Sequence, residues 1–441
     1  MSIIKKVFIT LFISLCLLPL FVLLFFPGIE SDYENRPLSR FPEKLSTDFP
    51  KQLEEYYSDN FGLRATYVSL HSYLIQKIFN DSPDPKVISG KDGWLFLEEA
   101  ASDFMKTNTF DDHQVHRIYR TLKQMSEYLE TIGTKFYFTI APNKNTIYGE
   151  YMPDRYVTKE KPSNLRLVSS YLNEKDFEYI DLSYVLTEDK NNTTTYHKKD
   201  THWNNHGAFI AYRKILTDMN LSGTGLTEPS YVVKKDYMGD LQRMLTPAIR
   251  INDHQMYFDI QKNYSYTTRF RSFDDILIGT KNSSARGSII MYRDSFANAL
   301  IPFISNSFAS ATYSRQLPYE IDMIGEDPVD FALLEIAERN LSYLLSYPPY
   351  FPAIAIPGAS NDDYILFSDI SDVTIREKNG WSIVNGQIMP DNVMEVYVSV
   401  LENNMTVFYE AYTYEKTDEE GLFFQVMLKG TDGLEIYRPV E

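Results

Sequence analysis

The chain has 441 residues, with 43 Lys+Arg against 60 Asp+Glu and a formal net charge of −17. At 44% hydrophobic and 15% aromatic it carries enough apolar surface for a large core, which excludes a globally disordered chain, and its length fits two or three folding units. The acidic balance argues against a surface that tracks phosphates, so no nucleic-acid partner is expected. The 33 Tyr and 28 Phe serve either as core and sheet residues or as platforms for sugar rings.

Lys5 and Lys6 precede an uncharged run from Val7 to Phe26, broken only by Thr10, Ser14 and Pro19. About 20 apolar residues suffice to cross a bilayer as a helix. The run ends in Phe25-Phe26-Pro27-Gly28, without the small-residue exit of a cleavable signal peptide. Its positive charges lie on the N-terminal side, which keeps the short tail inside. Residues 1–28 are therefore expected to be a transmembrane signal anchor, with the rest of the chain on the extracellular or periplasmic side. Cys16 falls inside the run, and Leu15 before it is not the small residue of a lipidation site. The exported part has no thiol, which excludes disulfides, thiolate metal sites and cysteine nucleophiles.

Apolar residues at Val115, Ile118, Leu122, Met125, Leu129 and Ile132 predict a helix over 111–132, stopped by Gly133. A β-type run follows from Lys135 to Ala141 and is halted by Pro142. A helix over 164–172, a strand over 179–182 and a helix over 206–219 come next. Further strands are expected over 288–292, 311–314 and 330–336. This alternation predicts an α/β domain of three layers around a mostly parallel sheet, with ligands beyond the carboxyl ends of its strands. Between Thr217 and Ala285 the periodicity fails, and irregular structure covering a sheet edge is expected. From about Ser346 the pattern is β-rich, as in Val393–Leu401, Met405–Tyr414 and Gly421–Leu428, which predicts a small, separate β-sandwich module.

Two short motifs carry chemistry. In Lys199-Asp200-Thr201-His202-Trp203-Asn204, Asp200 and His202 are two apart, so in an extended segment both side chains point the same way. Asp200 can then accept from the imidazole and leave its other nitrogen free as a base; the alternative is that Asp or Thr caps the following helix. In Ile289-Ile290-Met291-Tyr292-Arg293-Asp294-Ser295-Phe296 a strand runs straight into Asp-Ser and a helix. That places Ser295 at the sheet edge with its N–H at a helix start, unless Asp294 or Ser295 is only a cap. A serine, a histidine and an aspartate together make an acyl-transfer triad.

These motifs resemble the AlgJ/AlgX-type, SGNH-hydrolase-like O-acetyltransferases and their DHHW-motif relatives. The likeness rests on Asp200-Thr201-His202-Trp203 and Arg293-Asp294-Ser295-Phe296, and on framework motifs in the same order. These are Glu34-Asn35-Arg36-Pro37-Leu38 with Phe41-Pro42, Asp59-Asn60-Phe61-Gly62-Leu63-Arg64, Gly90-Lys91-Asp92-Gly93-Trp94-Leu95-Phe96, Pro142-Asn143-Lys144, Gly239-Asp240-Leu241 and Glu335-x-x-Glu338-Arg339. The resemblance implies an SGNH-hydrolase-like catalytic domain over 29–345, with the β-rich module over 346–441 as a possible carbohydrate binder. It also implies Asp200, His202 and Ser295 as the triad of an exported acetyltransferase that acts on a secreted or cell-surface polysaccharide. Its acetyl donor would be supplied by a multi-pass membrane acyltransferase. Water in place of the sugar would make the same site an acetylesterase, and an idle site would leave a polysaccharide-binding scaffold.

The Ser295 N–H is the first expected oxyanion donor, with Asn143 and Lys144 as further candidates. Trp203 can stack on a sugar ring or simply pack. Arg293, where many relatives have a small residue, can gate the site or meet an anionic group, and Arg315 can meet an acidic sugar. Glu335 and Arg339, at i and i+4, can pair with each other. His197, His202 and His206 lack a Cys or a matched acid in any known metal-site spacing, so neither a metal nor a cofactor is expected.

Overall fold

The computed structural model describes residues 3–25, 38–79, 81–325, 328–367, 370–389, 393–416 and 419–440, so the Glu34-Asn35-Arg36-Pro37 motif and the Pro27-Gly28 end of the apolar run lie outside the described residues. The N-terminal run forms α1 (Ile3–Phe25). Its segment Ile3–Leu23, with a mean hydropathy of 2.5, is long and apolar enough to cross a membrane.

The helix expected over 111–132 is α2 (Asp112–Thr131). Asp111 and Gln114 cap it reciprocally, each side chain accepting from the other's backbone N–H at 2.8 and 3.2 Å. Gly133, at φ +81°, turns the chain out of the helix, as a residue without Cβ can do at no steric cost. Strand β1 (Lys135–Ala141), helix α3 (Asn164–Glu174), strand β2 (Tyr179–Asp181) and helix α4 (Asn205–Asp218) follow. Then come β3 (Ser265–Tyr266), β4 (Leu277–Lys281), β5 (Ser288–Tyr292), α5 (Ile301–Ser307), β6 (Ser310–Ser314) and β7 (Phe331–Ala337).

The central sheet runs in the order β2-β1-β7-β5-β6-β4-β3, parallel from β2 through β6 and antiparallel at β4 and β3. Alternation along the strands sorts side chains to its two faces. Phe136, Phe138 and Ile140 pack with Ile118, Leu122 and Met125 of α2 and Leu165, Val168 and Leu172 of α3. Tyr137 and Ala141 pack on the other face with Ala208, Phe209 and Ile215 of α4 and Ile301 and Ile304 of α5. Residues 112–337 thus form a three-layer α/β domain.

The region from Thr217 to Ala285 is more ordered than its sequence suggests. It holds a hairpin (Tyr231–Tyr237 with Asp253–Phe258), a helix (Asp240–Leu245) and the two antiparallel strands that extend the sheet. A two-residue strand and a five-residue strand buried only at its centre are too short to show a period.

The C-terminal residues form β8 (Tyr364–Leu366), β9 (Ile370–Lys378), β10 (Trp381–Ile388), β11 (Val396–Glu402), β12 (Met405–Lys416), β13 (Glu419–Leu428) and β14 (Glu435–Pro439). All pairings are antiparallel, in the order β8-β14-β11-β12-β13-β10-β9. Strand β12 pairs with β11 up to Ala411 and with β13 from Tyr412, so one long strand serves both halves. Val384, Val398, Phe424, Val426 and Ile436 fill the core between them.

This module packs on α2 through charged pairs. Arg120 donates to both carboxylate oxygens of Glu410, Arg117 meets Glu415, and His116 Nε2 lies 3.0 Å from Glu395. Arg120→Ala would leave Glu410 buried without its cation and should destabilise the protein by about 3–5 kcal/mol in urea unfolding. Replacing the pair together by Arg120→Leu and Glu410→Met should cost less than the single change.

Candidate active site

The stretch between Tyr196 and Trp203, which form an isolated antiparallel bridge, arches over the carboxyl edge of the sheet. Trp203 Nε1 donates to the Phe296 carbonyl at 2.9 Å and so ties this arch to the residue after Ser295. The cap of α4 is Asn204, whose Oδ1 accepts from Gly207 N at 2.9 Å, which leaves Asp200 available for other partners. Only glycine fits at 207, because a Cβ there would fall 2.1 Å from the Thr195 carbonyl oxygen.

The framework motifs hold the arch from below. Lys144 is buried and donates to the carbonyls of His197, Lys198 and Asp200. Leu95 N donates to the Lys198 carbonyl at 2.8 Å, and Gln242 N to the Lys199 carbonyl at 3.1 Å. Lys199 N reaches Asp253 Oδ2 at 3.1 Å. Gly239 packs so closely that a Cβ would fall 2.2 Å from the Lys199 carbonyl oxygen.

The result is a relay. His202 Nδ1 lies 2.8 Å from Asp200 Oδ1, and His202 Nε2 lies 2.9 Å from Ser295 Oγ. An ionised carboxylate only accepts, so the proton sits on Nδ1 and Nε2 is free to accept from the serine hydroxyl. Asp200 Oδ1 also accepts from His202 N at 2.9 Å, and Oδ2 accepts from the Tyr237 hydroxyl at 3.0 Å and Asp240 N at 2.8 Å. Burial alone would raise the Asp200 carboxyl, but these donors and the adjacent imidazole outweigh it and hold it far below the usual carboxylate range. Burial likewise pulls His202 down, while the hydrogen bond and charge of Asp200, joined by Asp240, raise it above the ordinary histidine value.

Ser295 follows β5 at the first position before a single 3₁₀ turn, Phe296–Ala299, rather than the full helix expected there. Its side chain makes no cap bond, and its N–H has no protein acceptor among the described residues. Asp294 does the tying instead. It accepts from Phe296 N at 2.9 Å, from Ala337 N at 2.7 Å and from Asn340 Nδ2 at 2.9 Å. Its own N–H donates to Glu335 at 3.2 Å.

A cleft of about 960 Å³ opens over Ser295 and His202. Tyr237, Tyr257, Phe258, Tyr264 and Phe273 give it aromatic walls, while Arg243, Lys262, Arg315 and Arg339 bring cationic groups. Arg315 reaches this cleft and donates to Asp274 at 2.8 Å. The other residues expected to bind substrate turn inward. Trp203 lines the cleft but is buried and packs edge-on to Phe296. Arg293 is buried, and its guanidinium spans the carbonyls of Phe273, Asp275 and Asp294 and the Asn298 side chain. Asn143 gives its N–H to Glu338 and its amide to Asp103, and Lys144 lies beneath the arch.

Three further residues complete the site. Asp240 Oδ2 stands 3.8 Å from His202 Nδ1, and its Oδ1 accepts from Thr201 N at 2.7 Å. Tyr237 pairs its hydroxyl with Asp200 and stacks on His197. Arg339, expected to pair with Glu335, instead lies 5.3 Å over the Phe296 ring and has no hydrogen-bond or ion-pair partner among the described residues. The Gly239-Asp240 motif marked Asp240 and the Glu335-x-x-Glu338-Arg339 motif marked Arg339, while nothing local marked Tyr237. Asp200, His202 and Asp240 also bring ligand atoms within 4.8 Å of one another, but these atoms already hold each other and the arch.

A three-layer α/β domain with such a relay at its sheet edge defines an SGNH-hydrolase-like protein. Residues 87–284 match the family "SGNH hydrolase-like domain, acetyltransferase AlgX". Over 160 residues the chain is 25% identical to the probable alginate O-acetylase AlgJ of Pseudomonas aeruginosa. That match covers 35% of this chain and 38% of the relative, so the chain matches well under two thirds of that protein's length. Among solved structures, PatB1 of Bacillus cereus aligns over 58% of this chain and 96% of its own, with a TM-score of 0.44 and 18% identity. The O-acetyltransferase domain of Pseudomonas putida AlgJ gives 0.36 and 18% over 58% and 92%, and Pseudomonas aeruginosa AlgX gives 0.38 and 12% over 86% and 99%. The likeness to the AlgJ/AlgX-type acetyltransferases therefore rests on residues 87–284.

Two outcomes check the electrostatics and the scaffold. In a proton NMR titration, His202 should titrate above the ordinary histidine range of about 6.5, and Asp240→Asn should move its midpoint down. Lys144→Met leaves three carbonyls without their donor and should lower stability in urea by at least about 2 kcal/mol.

Proposed function

We propose that this protein is a membrane-anchored, extracytoplasmic O-acetyltransferase that moves acetyl groups onto polysaccharide hydroxyls through an acetyl-Ser295 intermediate. The observation that carries this reading is the Asp200–His202–Ser295 relay at the floor of an aromatic and cationic cleft, with Asp200 and His202 inside the residues 87–284 that match an acetyltransferase-type domain.

His202 Nε2 takes the hydroxyl proton of Ser295 as Oγ attacks the acetyl carbonyl carbon of the donor. Asp200 holds the imidazolium that forms. The tetrahedral oxygen is met by the Ser295 N–H and by Arg339, a cleft cation whose guanidinium lies over the Phe296 ring and makes no hydrogen bond or ion pair among the described residues. The bond from carbon to the donor's oxygen then breaks, and that oxygen leaves with the proton from Nε2. A sugar hydroxyl enters next and gives its proton to Nε2. Its oxygen attacks the acetyl carbon, the bond to Oγ breaks, and Ser295 recovers its proton. Water in place of the sugar would release acetate. Transfer is favoured because aromatic walls bind a sugar ring and displace water from the acetyl-enzyme.

Arg315 and Lys262 stand along the cleft where an acidic sugar would lie. The donor would be handed over by a multi-pass membrane acyltransferase, which keeps the acetyl supply at the membrane that α1 enters. Asn143, Lys144, Arg293 and Trp203 act in this reading as supports of the relay rather than as contacts to the sugar. The module from residue 346 is assigned to support as well, since its Tyr364, Tyr397 and Phe408 stack on one another.

The test is an acetyl-ester donor supplied with and without oligosaccharide acceptors, scored by mass spectrometry for acetylated sugar, free acetate and acetyl-Ser295. Ser295→Ala and His202→Ala should each lower turnover by about 10³-fold or more, with little further loss when combined. Because His202 must be neutral to act as base, turnover should rise with pH along a limb above the ordinary histidine range. Ser295-dependent release to water alone across a range of sugars would replace the transferase by an esterase. Absence of any Ser295-dependent turnover would reject both.

A further inference from the structure

The helix Arg64–Phe79 leaves large apolar side chains in the open. Its fully buried positions are serines, Ser69 and Ser72 at 0% and 1% exposed, with Val68 and Ile75 half-buried, and Ser69 Oγ accepts from Ala248 N at 2.9 Å. Its outward stripe is apolar, with Leu70, Tyr73, Leu74 and Ile78 at helical spacing and 43–67% exposed. Exposed Leu53 and Tyr57 of the preceding helix, Phe49–Asp59, add to the apolar surface. A contiguous apolar face of this kind marks an interaction site.

Charge and position identify what covers it. In a chain with a net charge of −17, this sixteen-residue helix carries Arg64 and Lys77 and no acid. Basic and aromatic residues around an aliphatic stripe are the composition of helices that lie in a lipid interface. The contact with α1 sets the height. Gly62, two residues before the helix, packs on α1 so closely that a Cβ would fall 2.2 Å from the Pro19 carbonyl oxygen and 2.9 Å from Val22 Cβ. Pro19 precedes Leu23, the end of the candidate span, by four residues, which is about 6 Å along a helix axis. Interfacial helices bury their apolar face about 5–10 Å into the headgroup boundary, which is that depth.

We infer that the helix Arg64–Phe79 lies in the outer interface of the membrane, with Leu70, Tyr73, Leu74 and Ile78 in the lipid, as a second attachment beside α1. This rests on the membrane-anchor part of the proposed function and is independent of the reaction assigned to the site. One transmembrane helix alone leaves a domain free to swivel and tilt. A second, in-plane contact fixes which side of the domain faces the bilayer. It also fixes the height of the hairpin Val87–Ser89/Leu95–Leu97 and the helix Asp240–Leu245, which link this region to the cleft.

The test places an environment-sensitive fluorophore on single cysteines in the full chain carrying Cys16→Ser. The protein is reconstituted into vesicles of phosphatidylethanolamine and phosphatidylglycerol. Leu74→Cys and Ile78→Cys report on the helix, Ile13→Cys on α1, and Leu401→Cys on a solvent-exposed strand far along the chain. The expected result is blue-shifted emission at 74 and 78 that is lost with lipids bearing a nitroxide near the headgroup. Position 13 should be lost with deep nitroxides, and position 401 should be unaffected. Quenching at 13 with aqueous emission at 74 and 78 would overturn the inference and leave the anchor intact. Blue-shifted emission at 74 and 78 that resists lipid quenchers would also overturn it, in favour of a second copy or another protein on this face. Loss of quenching at 13 would remove the anchor and the inference together.

Discussion

A buried ammonium group holds the candidate site in place. Lys144 carries its charge beneath the Asp200–His202 arch, against three backbone carbonyls and the faces of Trp94 and Phe96. Burial lowers its pKa to about 8 even though Asp200, Asp240 and Asp253 act to raise it. An arch of irregular backbone has carbonyls that no strand or helix satisfies, and a single side chain with three donors answers them at one point. Without that point the carboxylate and the imidazole would belong to a loop free to relax away from Ser295.

The two halves of the relay reach the cleft by different means. The serine stands at the end of a central strand, where Asp294 fastens it to β7 through Ala337 N and Asn340. The Asp-His pair sits on an arch held by residues drawn from well-separated parts of the chain, among them Leu95, Lys144, Gln242 and Asp253. Glu335 and Glu338 belong to the same scaffold. Both are buried, and burial, with neighbouring carboxylates, pushes both upward, Glu338 to about 7. Each accepts a backbone N–H from a segment beside the site.

Much of the α/β order was legible because its elements are long and periodic. The apolar spacing of α2 and the run from Lys135 to Ala141 declare themselves, and so does the strand entering Arg293-Asp294-Ser295. The relay was legible from two short motifs through their family resemblance, although the segment is a bend in which Asp200 Oδ1 accepts from His202 N rather than the extended stretch that spacing suggested. The supporting roles were not legible. Nothing local marks Lys144 or Arg293 as buried, because a long cation next to a reactive motif looks the same whether it faces substrate or carbonyls. Arg339 was hidden for the opposite reason: helical spacing from Glu335 suggested a pair, but Glu335 lies within strand β7 and Arg339 in a 3₁₀ turn. The antiparallel edge strands β3 and β4 were too short to leave a pattern.

Arg293 joins two parts of the protein that would otherwise change independently. It directly precedes the Asp-Ser pair, yet its guanidinium grips the carbonyls of Phe273 and Asp275, in the loop that forms one wall of the cleft. That wall is otherwise held by the outermost, antiparallel strands of the sheet. Transplanting a wall from a relative that has a small residue at this position would bring in a loop shaped without the clamp and leave a buried guanidinium facing unmatched partners. Wall and clamp form one heritable unit, and a graft aimed at new acceptor preference has to carry both across.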